Sequence, residues 1–416
     1  MRLLNYVMQR FVTTGTLRII DADGKLHEYG STPGPNVTIR LTDRRLHRSL
    51  FFNPELRAGE AYVDGTLVIE EGSLRDLLLL YALNRSNLRS QPLQKLLRGA
   101  SKKLRGFTQR NVAAKARKNV AHHYDLSNEL YKLFLDSDLQ YSCAYFLSPD
   151  DSLETAQRNK LRHIAAKLAL KPGQKVLDIG SGWGGMAMYL AEAAHVDVTG
   201  VTLSVEQHEL ATKRARERGL SDRVRFELKD YRDVTEKFDR IVSVGMFEHV
   251  GVGHYDEFFA KVSSLLTEEG VALLHSIGRK SGPGNTGPWM RKYIFPGAYA
   301  PALSETLTAI EGSGLWVTDI EILRLHYAET LLNWERRFQK NRGRIASLLD
   351  ERFCRMWEFY LIGCEFGFRH GKQMVFQIQL AKKVDTLPRD RGYMAAAEDA
   401  LSHDLGHHLH GLPDRV

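Results

Sequence analysis

The ten residues VLDIGSGWGG, Val176 to Gly185, decide how the rest of the chain is read. Val-Leu-Asp-Ile is a short apolar run of the kind that fills a strand covered on both faces. Gly180, Gly182 and Gly185 follow at G-x-G-x-x-G spacing, and the residues after Gly184 read as a helix. A strand, a glycine turn and a helix N-terminus together allow close backbone approach to a nucleotide. The same turn could equally be a tight connection that holds nothing.

Outward from this stretch, apolar strands alternate with helical segments. KVLDIG (175–180), VDVTGVTLS (196–204), VRFELKD (224–230), FDRIVSVGMF (238–247) and VALLHSIG (271–278) are strand candidates, with SVEQHELATKRARERG and HYDEFFAKVSSLL as helices between them. WVTDIEILRL (316–325) and MVFQIQLAKK (374–383) read as later strands. Such alternation predicts a doubly wound, Rossmann-like α/β sheet with ligands at the carboxyl ends of its strands. A dinucleotide enzyme would place an acid after the second strand to hold a ribose; here stand Thr202, Leu203 and Ser204.

Length and charge divide the chain further. With 416 residues it exceeds what one core usually covers, which predicts two domains. Residues 1–86 read as a small α+β domain: a hairpin turning on Asp23-Gly24, strand candidates in NVTIRL and GEAYVDGTLVIE, and a helix in SLRDLLLLYALNR. The catalytic domain is expected over 121–391, and 392–416, with His403, His407, His408 and His410, reads as a mobile, solvated tail. Residues 1–120 hold 21 Lys/Arg against 10 Asp/Glu, whereas the remainder holds 37 against 40. The excess concentrates between Arg85 and Lys118, with 11 Lys/Arg and no acid. Within the linker 87–120, Leu93, Leu96, Leu97, Ala100 and Leu104 recur at helical spacing among Lys95, Arg98, Lys102, Lys103 and Arg105. An apolar stripe in cationic surroundings suits a helix lying on an anionic membrane; a linker helix packed on a domain, or a nucleic-acid patch, fits the same pattern. No zinc-finger or RNA-binding aromatic motif accompanies the last reading. The N-terminus MRLLNYVMQRF has no long apolar core with a cleavage site, so no signal peptide is expected. Three cysteines suggest a reducing, cytoplasmic compartment rather than a disulfide framework.

The ordered set VLDIGSGWGG, GVTLSVEQ, SVGMFEHVG, LLHSIG and QYSCAYF, with HHYDLSNELYKLFLDSDLQYSCAYF and NWERRF, resembles the cyclopropane-fatty-acyl-phospholipid synthase family of S-adenosylmethionine (SAM) methyltransferases over residues 120 to 383. The resemblance implies a Rossmann-like methyltransferase sheet with inserted capping helices. It implies SAM as methyl donor, held by Tyr141, Ser142, Asp178, Gly180, Gly182, Trp183, Gly184, Thr202, Leu203, Ser204, Gln207, Asp230 and Tyr231. Thr202 and Gln207 stand where other methyltransferases carry an acid. It also implies bicarbonate as a base, bound by the side chains of Glu248, His275 and Tyr327 and by backbone groups of Cys143 and Ile277. Read on their own, Cys143 could be a small buried hydrophobe, His275 a satisfied core histidine, and Tyr327 an ordinary packing residue. His249 and His254 read as a structural neighbour and a helix-start residue; adjacent Glu248 and His249 leave a strand end in different directions, which argues against zinc. The expected partners are unsaturated phospholipid, an anionic membrane reached through residues 85–118, and a second copy in a homodimer; nucleic acid is not expected. The expected location is the cytoplasm, reversibly peripheral to the inner face of the membrane. Helices over 330–370 would cap the site, and the aromatics from Trp289 to Phe368 are either core or the wall of an acyl channel. A non-catalytic lipid-binding module is the rival from another class.

Overall fold

The computed structural model describes residues 1–90 and 128–408. Contacts divide them between two units, of which the first combines 1–90 with 284–296 and 331–373. Of the basic linker expected over 87–120, residues 87–90 end helix Leu74–Ser90, and 91–120 lie outside the described residues.

In the first unit a four-stranded sheet runs β2-β1-β3-β4, from β1 (Thr16–Ile20), β2 (Leu26–Tyr29), β3 (Asn36–Leu41) and β4 (Leu67–Glu71). The expected hairpin joins β1 to β2, with Asp21 Oδ1 accepting the Asp23 and Lys25 N–H groups across the turn. GEAYVDGTLVIE splits differently from the expectation. Pro54 opens a helix, Pro54–Val63, because its fixed φ and missing N–H suit a first turn, and only Leu67–Glu71 remains a strand. The opening helix Arg2–Phe11 buries Leu4, Val7, Met8 and Phe11, one face of a 3.6-residue repeat.

Helices His326–Lys340, Arg342–Leu348 and Glu351–Arg369 occupy the insertion as expected. From Leu331 onward they belong to this first unit. Leu74 and Leu78 share a core cluster with Ile362 and Phe366, Arg75 pairs with Glu365 at 2.6 Å, and Tyr62 donates to Glu358 at 2.9 Å. Trp334, Trp357 and Phe338 are buried, and Trp289 packs its ring 4.7 Å from Phe359. These aromatics are core.

The second unit holds a seven-stranded sheet, β10-β11-β9-β8-β5-β6-β7. Its strands are β5 (Lys175–Ile179), β6 (Asp197–Thr202), β7 (Val224–Leu228), β8 (Phe238–Val244), β9 (Leu266–Arg279), β10 (Trp316–Ile322) and β11 (Gln373–Ala381). Pairings from β7 through β6, β5 and β8 to β9 are parallel, whereas β10 pairs antiparallel with β11. Apolar clusters cover both faces, one around Phe247, Phe258 and Phe376 and the other around Leu161, Met188 and Leu190. Strand order reverses beside β5, so the carboxyl ends of β5 and its neighbours open a crevice.

Residues 392–408 are not the solvated tail expected from the sequence but a helix, Gly392–His408. Met394 is buried and Leu401 packs on the core cluster beside helix Leu153–Lys167. Glu398 meets His163 Nδ1 at 2.5 Å, and the other ring nitrogen meets Glu321 at 2.7 Å. Both carboxylates hold the His163 imidazolium, so its pKa lies above the usual range despite burial.

Candidate active site

β5 is buried from Val176 onward and delivers Asp178 and Ile179 to the sheet edge, where the chain turns at Gly180. Gly180 has φ +86°, and a Cβ there would sit 2.8 Å from Met246, so both conformation and space require glycine. Gly185 answers to space alone: an added Cβ would lie 2.0 Å from Gln140 Nε2 and 2.9 Å from the Asp138 carbonyl. A strap before the sheet, residues 136–146, thus lies directly on the glycine turn.

The resulting cleft is walled by the strap and the ends of four strands. Tyr141 and Ser142 contribute from the strap, Asp178, Gly180, Gly182 and Trp183 from the β5 turn, Thr202, Leu203 and Gln207 from β6, and Asp230 and Tyr231 after β7. Gly184 and Ser204 stand outside the wall. Gly184 starts helix Gly185–Ala194, and Ser204 caps helix Val205–Glu217 by accepting the Gln207 N–H at 3.3 Å. Thr202 donates to Gln207 Oε1 at 3.0 Å, so the pair that replaces the usual acid is one hydrogen-bonded unit. Asp230 holds Arg232 through two contacts, at 2.9 and 2.6 Å.

Gln140, Arg232 and Met246 also line the cleft and were not singled out in the sequence, and His249 and His254, read there as a structural neighbour and a helix-start residue, line it too. Gln140 opens the QYSCAYF motif, which was its only signal. His249 is only partly buried, yet desolvation pulls its ring down to about 4. His254 sits where expected, before helix Tyr255–Leu265, with Nδ1 2.9 Å from Glu257. Among the wall residues Asp178 is distinctive: its Oδ2 is buried with no hydrogen-bond partner among the described residues, and burial pushes its carboxyl up to about 7. An unpartnered buried acid and an open glycine turn suit a ligand with a cationic group, as SAM has.

None of the other five expected residues forms the cleft wall, and they fall into two groups. Glu248 lies between wall residues Met246 and His249, in the 3-10 turn Phe247–His249. Its Oε1 accepts the Ile277 N–H at 2.6 Å, and its carbonyl accepts the Tyr299 N–H at 2.9 Å. Oε2 is buried without a partner among the described residues, and desolvation raises the carboxyl to about 7. His275 is buried in β9; Gln377 Nε2 donates to its Nδ1 at 3.2 Å, which leaves the proton on Nε2. Burial holds that ring neutral, at about 3. Cys143 and Tyr327 form a second group. The Ala144 N–H donates to Thr330 Oγ1 at 3.0 Å and the Phe146 N–H to His326 Nδ1 at 3.1 Å, so the strap after Cys143 is gripped on either side of buried Tyr327. Burial pushes the Cys143 thiol far up, which removes it as a nucleophile.

A carboxyl that can keep a proton near neutrality and a neutral imidazole are each able to donate a hydrogen bond to a small oxyanion such as bicarbonate. One expected ligand is engaged elsewhere: the Ile277 amide already donates to Glu248.

A parallel sheet ending in an antiparallel pair, with a glycine-turn cleft at its strand ends, defines the Rossmann-like methyltransferase fold. The chain belongs to the mycolic acid cyclopropane synthetase family, which it matches over residues 111–378. It is 39% identical over 361 residues to the cyclopropane-fatty-acyl-phospholipid synthase of Escherichia coli (strain K12), spanning 86% of this chain and 90% of that one. It is 35% identical over 393 residues to the tuberculostearic acid methyltransferase UfaA1 of Mycobacterium tuberculosis, spanning 91% of each. The mycolic acid cyclopropane synthase CmaA1, solved in complex with SAH and CTAB, superposes with a TM-score of 0.60 at 35% identity, covering 64% of this chain and 97% of that one.

Proposed function

We propose that this enzyme adds the methyl carbon of SAM to the cis double bond of an unsaturated acyl chain in a membrane phospholipid and closes it into a cyclopropane ring. The observation that carries the reading is the pairing of a methyl-donor cleft with the buried Glu248–Ile277 contact and neutral His275 directly behind it. The alkene π pair would form a bond to the sulfonium methyl as the S–C bond breaks, releasing neutral S-adenosylhomocysteine and leaving a carbocation beside the new methyl. That methyl then loses one proton, and the C–H electron pair closes the ring.

The chain's own residues supply what these steps need. Asp178 offers the donor an anionic oxygen, and Tyr141 and Tyr231 present aromatic edges and faces at the cleft, which tolerate cationic charge. Burial of Glu248 and His275 keeps water from the cation. Glu248, His275 and Tyr327, with the backbone at Cys143, would hold bicarbonate, which when bound supplies the proton acceptor. Glu248 can meet an anion because its raised pKa lets a proton sit on Oε2 instead of a second negative charge.

Purified protein given SAM, bicarbonate and vesicles of unsaturated phospholipid should raise acyl mass by one CH2 and produce ring methylene protons upfield of other lipid signals. Lipid left unmodified under saturating donor would sink the reading. A methyl-branched, still unsaturated product, formed if the carbocation loses a proton from a neighbouring chain carbon instead, is the second outcome, favoured by the similarity to a tuberculostearic acid methyltransferase; it would show the same carbon gain without the upfield signal.

Reversible attachment to the inner face of an anionic membrane through residues 85–118, and a homodimeric state, belong to the same proposal. The charge imbalance of the first 120 residues supports the attachment, and no described helix is long and apolar enough to cross a membrane. Each Lys or Arg near an anionic surface contributes about 1 kcal/mol. Neutralising Lys95, Arg98, Lys102 and Lys103 together should therefore weaken sedimentation with anionic vesicles by about tenfold or more at low salt, and less at high salt. Equal sedimentation of the variant would make the segment a linker.

A further inference from the structure

Helix Leu153–Lys167 carries a lysine wholly removed from water. Lys160 is 0% exposed, no carboxylate lies within ion-pair distance of it among the described residues, and its Nζ donates to Gln140 Oε1 and to Ser142 Oγ, the latter at 3.0 Å. Three residues earlier on the same helix face, Gln157 Nε2 donates to the carbonyls of Gln140 and Ser142 at 3.3 and 3.0 Å. One helix face therefore holds both the backbone and the side chains of two cleft-wall residues. Asp136 fixes the strap upstream by accepting the N–H groups of Asp138 and Gln140, at 3.0 and 2.9 Å. Between these ties Leu139 is held at φ +56°, a conformation a non-glycine residue keeps only when its surroundings impose it.

The ammonium also has an electrostatic address. The groups facing it are Asp136, Asp138 and Cys143 from the strap, Asp178 from the end of β5, and His275 from β9. Asp178 in turn feels Lys160 as its charged neighbour; the residue lines the cleft, and its Oδ2 is buried with no partner among the described residues. We propose that Lys160 is a positioning residue for the methyl donor: it pins the Gln140–Ser142 wall and keeps Asp178 ionised, so that the carboxylate oxygen left free by the protein can take a cationic group of the donor. The inference rests on the reading of the cleft as a SAM site, not on the identity of the lipid product.

Burial raises Asp178 to about 7 and lowers Lys160 to about 8, so the charged pair exists near neutrality. Replacing the lysine by a neutral side chain moves Asp178 further up, and SAM affinity near neutral pH falls with it. In alkaline solution Asp178 is ionised in both proteins and the wild-type lysine has lost its proton, so the two should converge.

The test is calorimetric titration of the full chain with SAM alone, without lipid. Lys160→Met should bind about tenfold more weakly than wild type at roughly pH 7, and the ratio should shrink to about threefold or less near pH 9, one pKa unit corresponding to a tenfold change. Asp178→Asn should flatten the pH dependence of binding across this window. A ratio that stays constant with pH would reduce Lys160 to a structural tie and overturn the proposal, as would unchanged affinity at neutral pH. If Lys160→Met does not fold, the wild-type and Asp178→Asn series decide: affinity rising through about pH 7 in the first and flat in the second supports the proposal, and a flat wild type overturns it. Wild-type protein that binds no SAM would overturn both this inference and the reading of the cleft, whereas SAM binding without lipid turnover would overturn only the proposed function.

Discussion

Glu248→Gln is expected to lose lipid turnover by about a hundredfold or more while its SAM affinity stays within about threefold of wild type, because a positioned proton-handling group contributes on that scale. The two halves of the result separate because Glu248 does not line the donor cleft. Glutamine keeps an acceptor for the Ile277 N–H and the same shape, but it cannot share a proton at the Oε2 position. The same substitution should alter stability in the opposite direction. A carboxyl raised from 4.5 to about 7 binds its proton more tightly when folded than when unfolded. Stability from this group is complete below the unfolded value and is lost as pH rises from about 4.5 through about 7, by about 2 to 3 kcal/mol. Glu248→Gln removes that loss, so the variant should melt above wild type near pH 8 and match it near pH 4.5. A protein that holds a costly buried acid for chemistry shows this exchange of stability for activity. Turnover of Glu248→Gln equal to wild type would remove Glu248 from the reaction, whatever the melting curves show.

The parts of this molecule that were legible in the sequence share one property: their signals are local. VLDIG is a buried strand because its apolar run is continuous, and Gly180 marks the turn because its φ and its contact with Met246 both forbid a side chain. Glu248 could be placed just past β8 because that strand is a recognisable apolar run, whereas His275 lies within β9, which runs on to Arg279. What sequence could not show was which distant groups neutralise a polar residue. In helix Leu153–Lys167 the polar side chains Lys160, His163 and Lys167 are buried. Their partners lie at Gln140 and Ser142, at Glu321 and Glu398, and at Asp319, up to 235 positions away. The terminal helix was missed for the same reason, since Glu398 finds its partner only in three dimensions. Likewise the insertion's helices were legible as helices, but the face of Ile362 and Phe366 carries no mark that its match is Leu74 and Leu78.

Phe247→Ala should produce the largest loss of stability at the site and should reach both halves of it. The ring is 0% exposed, stacks on Tyr255 at 4.4 Å, and lies 5.1 Å from Phe258 and 5.5 Å from Phe259. Truncating a fully buried phenylalanine costs about 3 to 5 kcal/mol, the lost transfer energy plus the cavity left behind. For a unit of this size that corresponds to a fall in Tm of about 10 °C. The functional consequence follows from neighbours. Glu248 is the next residue in the same 3-10 turn, and Tyr231 of the cleft wall packs edge-on against Phe258 at 5.5 Å. A cavity at Phe247 loosens the carboxylate from one side and the donor-cleft aromatic from the other, so turnover and SAM affinity should fall together. Glu248→Gln, by contrast, separates them. Phe247→Leu fills most of the space and should cost less than about 1.5 kcal/mol, restoring affinity before full turnover because the carboxylate needs the tighter placement. Thermal unfolding, SAM titration and lipid turnover on the three proteins decide the point. If Phe247→Ala melts early yet keeps wild-type turnover at a temperature where it is folded, the ring is ordinary core and the turn that carries Glu248 is held by its hydrogen bonds to Ile277 and Tyr299 alone.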